Sequence, residues 1–249
     1  MRIKKIFLYV GLLLSCQSAL SQIAPPGAVM ASFDCSLADG VTMSEAITYA
    51  RDHTRDGWGN VIGVFYREPI IGAGEFREDH DFRTVTYFPS WADWWEYYAG
   101  ERSEARQIAI ERRRSFYSCE DGSAIAVLAH PDGNNFSGPE TLMTTRVCYR
   151  NEESSRDDVY QWMLELGDNY LEAGSNDALW LYNPVFTPNP ANGPNRGIVI
   201  ATVGESGSSL MDRIDLRRSG AVTGPSQPVF ESCRLPNLWR SHRVYSASN

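Results

Sequence analysis

Residues 116–119 read F-Y-S-C and residues 230–233 read F-E-S-C, so the chain contains nearly the same four-residue phrase twice. Each phrase ends in a cysteine, and each of these cysteines has an earlier partner at almost the same distance. Cys35 precedes Cys119 by 84 residues, and Cys148 precedes Cys233 by 85. Apart from Cys16 near the N-terminus, the chain has four cysteines, which allow three pairings. The equal spacing favours Cys35 with Cys119 and Cys148 with Cys233.

The segments between the paired cysteines repeat the same order of elements. A first strand carries the first cysteine of each pair. An amphipathic helix follows it, with a capping box at Thr42 and Glu45 in one half and at Ser155 and Asp158 in the other. Two apolar strands, a second helical segment and a closing strand come next in both halves. The predicted ranges are 60–66, 82–88, 90–98 extended to 114, and 123–129 in the first half, and 177–182, 197–203, 208–218 and 238–246 in the second.

This order of elements decides the fold prediction, because β-α-β-β-α-β is the ferredoxin-like topology. The last strand of such a unit lies antiparallel beside the first, which predicts the same two disulfides without using their spacing. We predict an α+β protein with a ferredoxin-like repeat at 28–130, a linker at 131–140 and a second repeat at 141–249. Two such units commonly pack as a dimeric α+β barrel. Fusion would make that dimer intramolecular, so we expect a monomer with pseudo-twofold symmetry.

The layout resembles the antibiotic-biosynthesis-monooxygenase-like superfamily of dimeric α+β barrels over almost the whole mature chain. Together with Tyr-then-Pro after the second strand, Pro89-Ser90-Trp91 after the third and the F-x-S-C phrase, it is also similar to a group of uncharacterised exported proteins from marine bacteria. That group has no activity to transfer. The superfamily resemblance implies two enzyme alternatives, a cofactor-independent monooxygenase and a haem-handling enzyme, on fold analogy alone.

The N-terminus has the pattern of an export signal. Cations at positions 2, 4 and 5 precede an apolar run at 6–14, and Ala19-Leu20-Ser21 supplies a small-x-small cleavage site. We therefore predict a signal peptide at 1–21 and a periplasmic or extracellular protein. Leu13-Leu14-Ser15-Cys16 resembles a lipobox, so an outer-membrane lipoprotein with a lipid anchor on Cys16 is the alternative. The apolar run is too short to span a bilayer, and we predict no transmembrane segment.

The charge balance excludes one class of partner. Loss of the three cations of the signal changes the formal charge from -8 to about -11. A nucleic-acid binder needs a basic surface that displaces counterions from phosphate, so we predict no nucleic-acid partner.

No catalytic constellation can be assembled from the sequence. Gly204-Glu205-Ser206-Gly207-Ser208 follows a strand and precedes a helix, but it lacks the final glycine of a nucleophile elbow, and its serines are better explained as helix caps. No pair of histidines has metal-ligand spacing. We therefore predict no catalytic residue, no metal and no cofactor, with haem as the alternative that the resemblance brings in.

Seven residues are candidates for ligand contact. Tyr66 and Tyr182 occupy matched strand positions, each shortly before a proline, so a central cavity would be lined by Phe65 or Tyr66 and by Trp180 or Tyr182. His80 follows an acidic stretch that is typical of a solvated loop but could hold a ligand. The tryptophans of the second helical segment form one stripe with Tyr98, which indicates packing against the sheet, although an exposed part could stack on a ligand. The seven candidates are Tyr66, His80, Trp91, Trp94, Trp95, Trp180 and Tyr182.

These observations favour a non-catalytic exported protein that binds a small hydrophobic or aromatic ligand, or a protein partner. The first alternative is an enzyme of the dimeric α+β barrel type, either a cofactor-independent monooxygenase or a haem-handling protein. The second alternative is an envelope protein with a structural or interaction role.

Overall fold

The computed structural model describes residues 27–53, 59–72, 80–99, 104–132, 138–186 and 197–247. In these ranges the chain forms nine strands and five helices. The first half contains β1 (Val29–Leu37), α1 (Met43–Asp52), β2 (Gly63–Ile71), β3 (Phe82–Phe88), α2 (Trp91–Ala99), α3 (Glu104–Arg113) and β4 (Tyr117–Ala129). The second half contains β5 (Glu140–Arg150), α4 (Arg156–Glu172), β6 (Ala178–Phe186), β7 (Gly197–Val203), α5 (Gly207–Arg218), β8 (Phe230–Cys233) and β9 (Asn237–Ser246).

Eight of these strands close into an antiparallel barrel. The order around the barrel is β1-β3-β2-β9-β5-β7-β6-β4, and β4 pairs with β1 to complete the circle. Within the first half the order is β4-β1-β3-β2, and within the second it is β9-β5-β7-β6. Two pairings join the halves, β2 with β9 and β4 with β6. The predicted α+β barrel layout is therefore present, with the helices on its outer face.

The disulfides are the two that the cysteine spacing predicts. Cys35 lies directly opposite Cys119 on β1 and β4, and Cys148 lies directly opposite Cys233 on β5 and β8. Each bridge therefore joins two neighbouring antiparallel strands within one half.

The alternation of side chains along the strands divides the core into an interior cluster and two outer clusters. Tyr87 and Tyr182 belong to the interior cluster, while Tyr66 packs toward α1 and Leu181 packs toward α4. Met143 and Val85 are fully buried inside the barrel. Complete burial of side chains of this size contributes roughly 1.5 to 3 kcal/mol each, so all three clusters stabilise the fold.

Local sequence explains where the helices begin. Thr42 and Glu45 form the predicted capping box at α1, and Ser155 and Asp158 form the predicted one at α4. Ser206 caps α5 by accepting a hydrogen bond from the Ser209 amide. The serine-rich turn before α5 is therefore a helix cap, as the sequence indicates.

Four features differ from the sequence prediction. β4 begins at Tyr117, six residues before the predicted start, because the F-Y-S-C phrase is itself part of the strand. β8 is an additional short strand that carries the second phrase. Pro69 and Pro184 lie inside β2 and β6 rather than after them, next to register shifts in the pairing. The predicted long helix is described as two helices, α2 and α3, with 100–103 outside the described residues.

Two predictions fall on segments beyond the described ranges. The signal peptide at 1–21 with Cys16, and half of the linker, at 133–137, lie outside the described residues. Within the described residues, no helix combines the length and the apolar character needed to cross a membrane.

Candidate functional site

A cavity rich in aromatic residues lies between the barrel and the helices of the first half, and we call it the first cleft. Its volume is about 330 Å³, within the range of small-molecule sites. The barrel contributes its floor and α1, α2 and α3 form its walls. The lining residues are Phe33, Tyr49, Ala50, His53, Val64, Tyr66, Thr84, Thr86, Tyr97, Tyr98, Arg106, Ala109, Ile110, Arg113, Arg114, Tyr117 and Cys119.

A pair of buried phenols lies on the floor of the first cleft. The hydroxyl groups of Tyr66 on β2 and Tyr117 on β4 are hydrogen-bonded to each other, and both side chains pack edge-on or tilted against the Phe82 ring. Burial, and secondly the neighbouring Tyr117, raise the pKa of Tyr66 well above its ordinary value. Burial raises the pKa of Tyr117 to about 12. Both groups therefore stay protonated near neutral pH. One of the two hydroxyl hydrogens forms the hydrogen bond between the tyrosines, and the other can be donated to a ligand.

Arginines from α3 give the first cleft its positive charge. The Arg113 guanidinium carbon lies 5.5 Å from the centre of the Tyr117 ring. Its Nε is buried and has no hydrogen-bond partner within the described part of the chain. Arg106 lies 3.8 Å above the Tyr97 ring, in cation–π contact. These cations lie beside the phenols, so the cleft favours a ligand with an anionic or strongly electronegative oxygen.

His53 lies at the end of α1 and has a defined tautomer. Its Nδ1 lies 2.6 Å from the Tyr49 carbonyl oxygen, and its ring centre lies 3.7 Å from that of Tyr49. Because a carbonyl oxygen can only accept, Nδ1 must carry the proton. Nε2 of neutral His53 is therefore left with a lone pair.

A second cleft occupies the corresponding place between the barrel and α4 and α5. Its volume is about 460 Å³ and its lining includes Arg146, Arg213, Arg217, Arg218, Trp162 and Tyr170. The Arg213 guanidinium lies 3.6 Å above the Tyr170 ring and donates a 3.2 Å hydrogen bond to the Asp177 carbonyl. Burial lowers the pKa of Arg213. The cation is thus held by protein groups inside the cleft.

The barrel interior contains a third, smaller cavity of about 160 Å³, which we call the barrel cavity. Arg67, Tyr87 and Tyr182 meet beside it, with Arg67 Nη2 at 2.6 Å from the Tyr87 hydroxyl and 3.2 Å from the Tyr182 hydroxyl. Trp180 packs against Tyr87 with its ring centre 5.6 Å away.

The structure separates the strand residues that the sequence places together. Tyr66 and Tyr182 do not occupy matched positions: Tyr66 faces the first cleft, whereas Tyr182 faces the barrel interior with Phe65 and Trp180. The position that corresponds to Tyr182 is Arg67, since Tyr182 pairs with Val199 as Arg67 pairs with Arg83. The sequence contained evidence of this difference, because Tyr66 lies three residues before Pro69 whereas Tyr182 lies two before Pro184. A shift of one residue along a strand places the side chain on the opposite face of the sheet.

The tryptophan stripe does not pack as expected. No residue of α2 is fully buried, and Trp95 is 64% exposed. Trp91 is also exposed, while Trp94 is partly buried and stacks on the exposed ring of Phe186 at 6.1 Å. Core packing is therefore the wrong interpretation for Trp91 and Trp95. None of these three side chains lines the first cleft.

His80 lies away from the clefts, and two residues of the cavities were not among the sequence candidates. His80 is buried, and its Nε2 lies 3.0 Å from Glu120 Oε1, away from the clefts; the acidic stretch before it, 73–79, lies outside the described residues. Sequence reasoning missed Tyr117 and Arg67. Tyr117 belongs to the F-Y-S-C phrase, and Arg67 is a charged residue at the end of an apolar strand pattern, so each had a usable signal.

The described lining of the second cleft does not fit haem. A haem iron needs an imidazole, thiolate, thioether or phenolate ligand. The lining of the second cleft has no histidine or methionine, its cysteines are joined in a disulfide, and its phenol Tyr170 lies under Arg213. The first cleft differs, because its lining contains the His53 imidazole and several phenols, which are possible iron ligands, beside arginines.

Comparisons with known proteins support the fold alone. No family model and no curated protein matches the sequence. A candidate monooxygenase from Fusobacterium nucleatum matches with a TM-score of 0.54 at 10% identity, over 88% of this chain and 93% of that one. A candidate monooxygenase from Lactobacillus acidophilus gives 0.50 at 8% identity, over 89% and 96%. A mutant chlorite dismutase from Candidatus Nitrospira defluvii gives 0.50 at 8% identity, over 88% and 93%. This chain therefore shares the barrel layout of monooxygenase-like and chlorite dismutase-like structures.

Proposed function

We propose that this protein binds a small aromatic molecule with acidic oxygen substituents in the first cleft, without transforming it. The observation that carries the proposal is the buried pair of hydrogen-bonded phenols, Tyr66 and Tyr117, on the floor of a cavity of about 330 Å³. Aromatic walls supply the contact surface for a flat ring, and the phenol pair supplies a hydrogen-bond donor at one point.

The state of the phenols supports binding rather than proton abstraction. A tyrosine whose pKa is raised to about 12 is a poor base at neutral pH, because almost none of it is ionised. The protonated pair can instead donate to a phenolate, quinone or carboxylate oxygen. Arg113 lies beside the pair with a buried Nε that lacks a partner among the described residues, and an anionic oxygen would satisfy it.

Calorimetric titration with 1-naphthol and 2-naphthoate tests this proposal. We expect one site, with tighter binding of the carboxylate. Tyr66→Phe and Tyr117→Phe should each weaken binding about 2- to 12-fold, the loss of one hydrogen bond. Tyr160→Phe, on α4 away from the cleft, is the matched control and should leave the affinity unchanged. Equal affinities in wild type, both cleft variants and the control would contradict the proposal.

A second candidate function is cofactor-independent oxidation of the bound aromatic molecule by oxygen. The lone pair of His53 Nε2 at the first cleft favours it, because such chemistry begins with removal of a substrate proton. The test is oxygen uptake with a panel of hydroquinones, comparing wild type with His53→Gln. Uptake that disappears in the variant would replace the binding proposal, and the same background rate in both proteins would leave binding as the function.

We propose further that the two halves are tandem ferredoxin-like repeats at 28–130 and 141–249, and that the protein is exported after loss of residues 1–21. The equivalent strand orders of the halves support the first statement. Two disulfides support the second, because they persist in oxidising compartments. Mass spectrometry of the mature N-terminus distinguishes cleavage after Ser21 from a lipidated Cys16.

A further inference from the structure

We infer that the barrel cavity is a binding site for a small organic monocarboxylate, separate from the first cleft. The cavity of about 160 Å³ lies inside the barrel and has Arg67, Arg83, Tyr182 and Trp239 in its wall. It thus combines cationic and phenolic groups with an apolar surface, and all eight barrel strands contribute to its lining.

Arg67 brings an uncompensated positive charge into the barrel. It is 5% exposed, and within the described ranges it makes no ion pair with a carboxylate. The other cation in the wall, Arg83, is paired with Asp34 at 2.6 Å between Nε and Oδ1. A buried charge without a counter-charge is strongly unfavourable, and a bound anion would compensate it.

The hydrogen bonds of Arg67 leave room for two more. A guanidinium has five N–H groups. Two of them point to the hydroxyls of Tyr87 and Tyr182 from Nη2, and one points from Nη1 to the Met30 sulfur at 3.8 Å, a weak acceptor. Nε is buried and has no partner among the residues that the structure describes. Because both Nη2 donors are used, a carboxylate would accept one charge-assisted hydrogen bond from Nε, and its charge would compensate that of Arg67.

The remainder of the wall favours a short organic acid over a hydrated inorganic ion. Ile125, Val147 and Val199 give an apolar surface beyond the cationic end. The indole nitrogen of Trp239 is engaged with Thr145 at 2.7 Å, so the tryptophan offers mainly its ring. The side chain of Arg83 is 32% exposed, which places the entrance of the cavity at that end of the barrel.

Within the described residues the site occurs once. The residue of the second half that corresponds to Arg67 is Tyr182. Its neutral phenol can donate a hydrogen bond but carries no charge that would compensate an anion. We therefore expect one carboxylate for each chain.

The experiment measures binding of sodium acetate, butyrate, benzoate and chloride at constant ionic strength, by calorimetry and by the melting temperature of the full chain. We expect saturable binding of at least one carboxylate with a stoichiometry of one. Arg67→Met should weaken that binding at least about tenfold, since a charge-assisted pair is lost. Tyr182→Phe keeps the cation and should weaken it by only about two- to tenfold. Arg218→Met, at an exposed position on α5, is the control and should bind as wild type.

Several outcomes would overturn the inference. These are no saturable binding of any carboxylate by wild type, unchanged binding by both Arg67→Met and Tyr182→Phe, or equal binding of chloride and the carboxylates. Should Arg67→Met fail to fold, Tyr182→Phe alone decides. Binding of 2-naphthoate in the first cleft is measured in parallel. We expect it to be insensitive to Arg67→Met, so failure at one site is distinguishable from failure at the other.

Discussion

The first and second clefts occupy corresponding places on the barrel but use their side chains differently. The first cleft has six aromatic residues in its lining and the second has two, although the second is larger. In the second cleft Arg213 is packed on Tyr170 and bonded to the Asp177 carbonyl, whereas in the first cleft Arg113 has a buried Nε with no described partner. Arg213 in the second cleft therefore stabilises the fold, whereas Arg113 in the first cleft keeps a buried donor for a ligand.

Loss of a disulfide should destabilise the protein most, and each bridge contributes to the lining of one cleft. Replacing Cys35 and Cys119 with alanine, or Cys148 and Cys233, should each lower the free energy of unfolding by about 4 to 5 kcal/mol in the chain-entropy account. The losses should be equal because the closed loops span 84 and 85 residues. Urea unfolding of both variants measures this. A clear inequality would show that the halves differ in packing strain as well as in lining.

The next effect separates the two arginines. Arg213→Met should destabilise the protein by about 2 kcal/mol, because it removes a charged hydrogen-bond donor and a buried cation–π contact. Arg113→Met should change stability by less than about 1 kcal/mol but should weaken 2-naphthoate binding about tenfold or more. Thermal unfolding and calorimetry on the same two variants measure both. If both variants lost stability and both kept binding, the contrast between the clefts would be wrong.

A smaller effect compares the two capping boxes. Thr42→Ala and Ser155→Ala should each lower stability by about 1 kcal/mol, because each removes the side-chain acceptor for the amide of the third helical residue. The double variant should show the sum, since the caps lie in different halves. Chemical denaturation of the three variants measures this, with Ser226→Ala in a described turn as the control.

The smallest effect is the pH dependence of these caps. Hydrogen bonds from the backbone and then the hydroxyl of Thr42 lower the pKa of Glu45 below its ordinary value of 4.5. A carboxyl whose folded pKa is depressed contributes stability above its unfolded pKa and loses it as pH falls through the folded pKa. The stability difference between wild type and Glu45→Gln should therefore shrink below about pH 4.5. Denaturation curves at pH 7 and pH 3 measure this, and a constant difference would contradict it.

The sequence predicted those parts of the architecture that local sequence patterns determine. Cysteine spacing and the order of elements predicted the bridges and the barrel layout, and the capping boxes predicted the starts of α1 and α4. The sequence did not show which face of the sheet each strand residue occupies, because β2 and β6 are apolar on both faces. Tyr66 and Tyr182 differ by one residue in their distance from the proline, and this difference places them on opposite faces. Arg113 was explained as a cation at a helix end. Its place over Tyr117 depends on how α3 packs on β4, which local pattern does not encode.

The two strand pairings between the halves determine whether a single half would be stable as a monomer. Without β9 and β6, a chain ending after β4 would expose the free edges of β2 and β4, each with a row of unpaired backbone amides and carbonyls. Such edges recruit another strand. A half expressed alone should therefore associate with a second copy and rebuild a symmetric barrel. In the fused chain, barrel closure is intramolecular and does not depend on protein concentration.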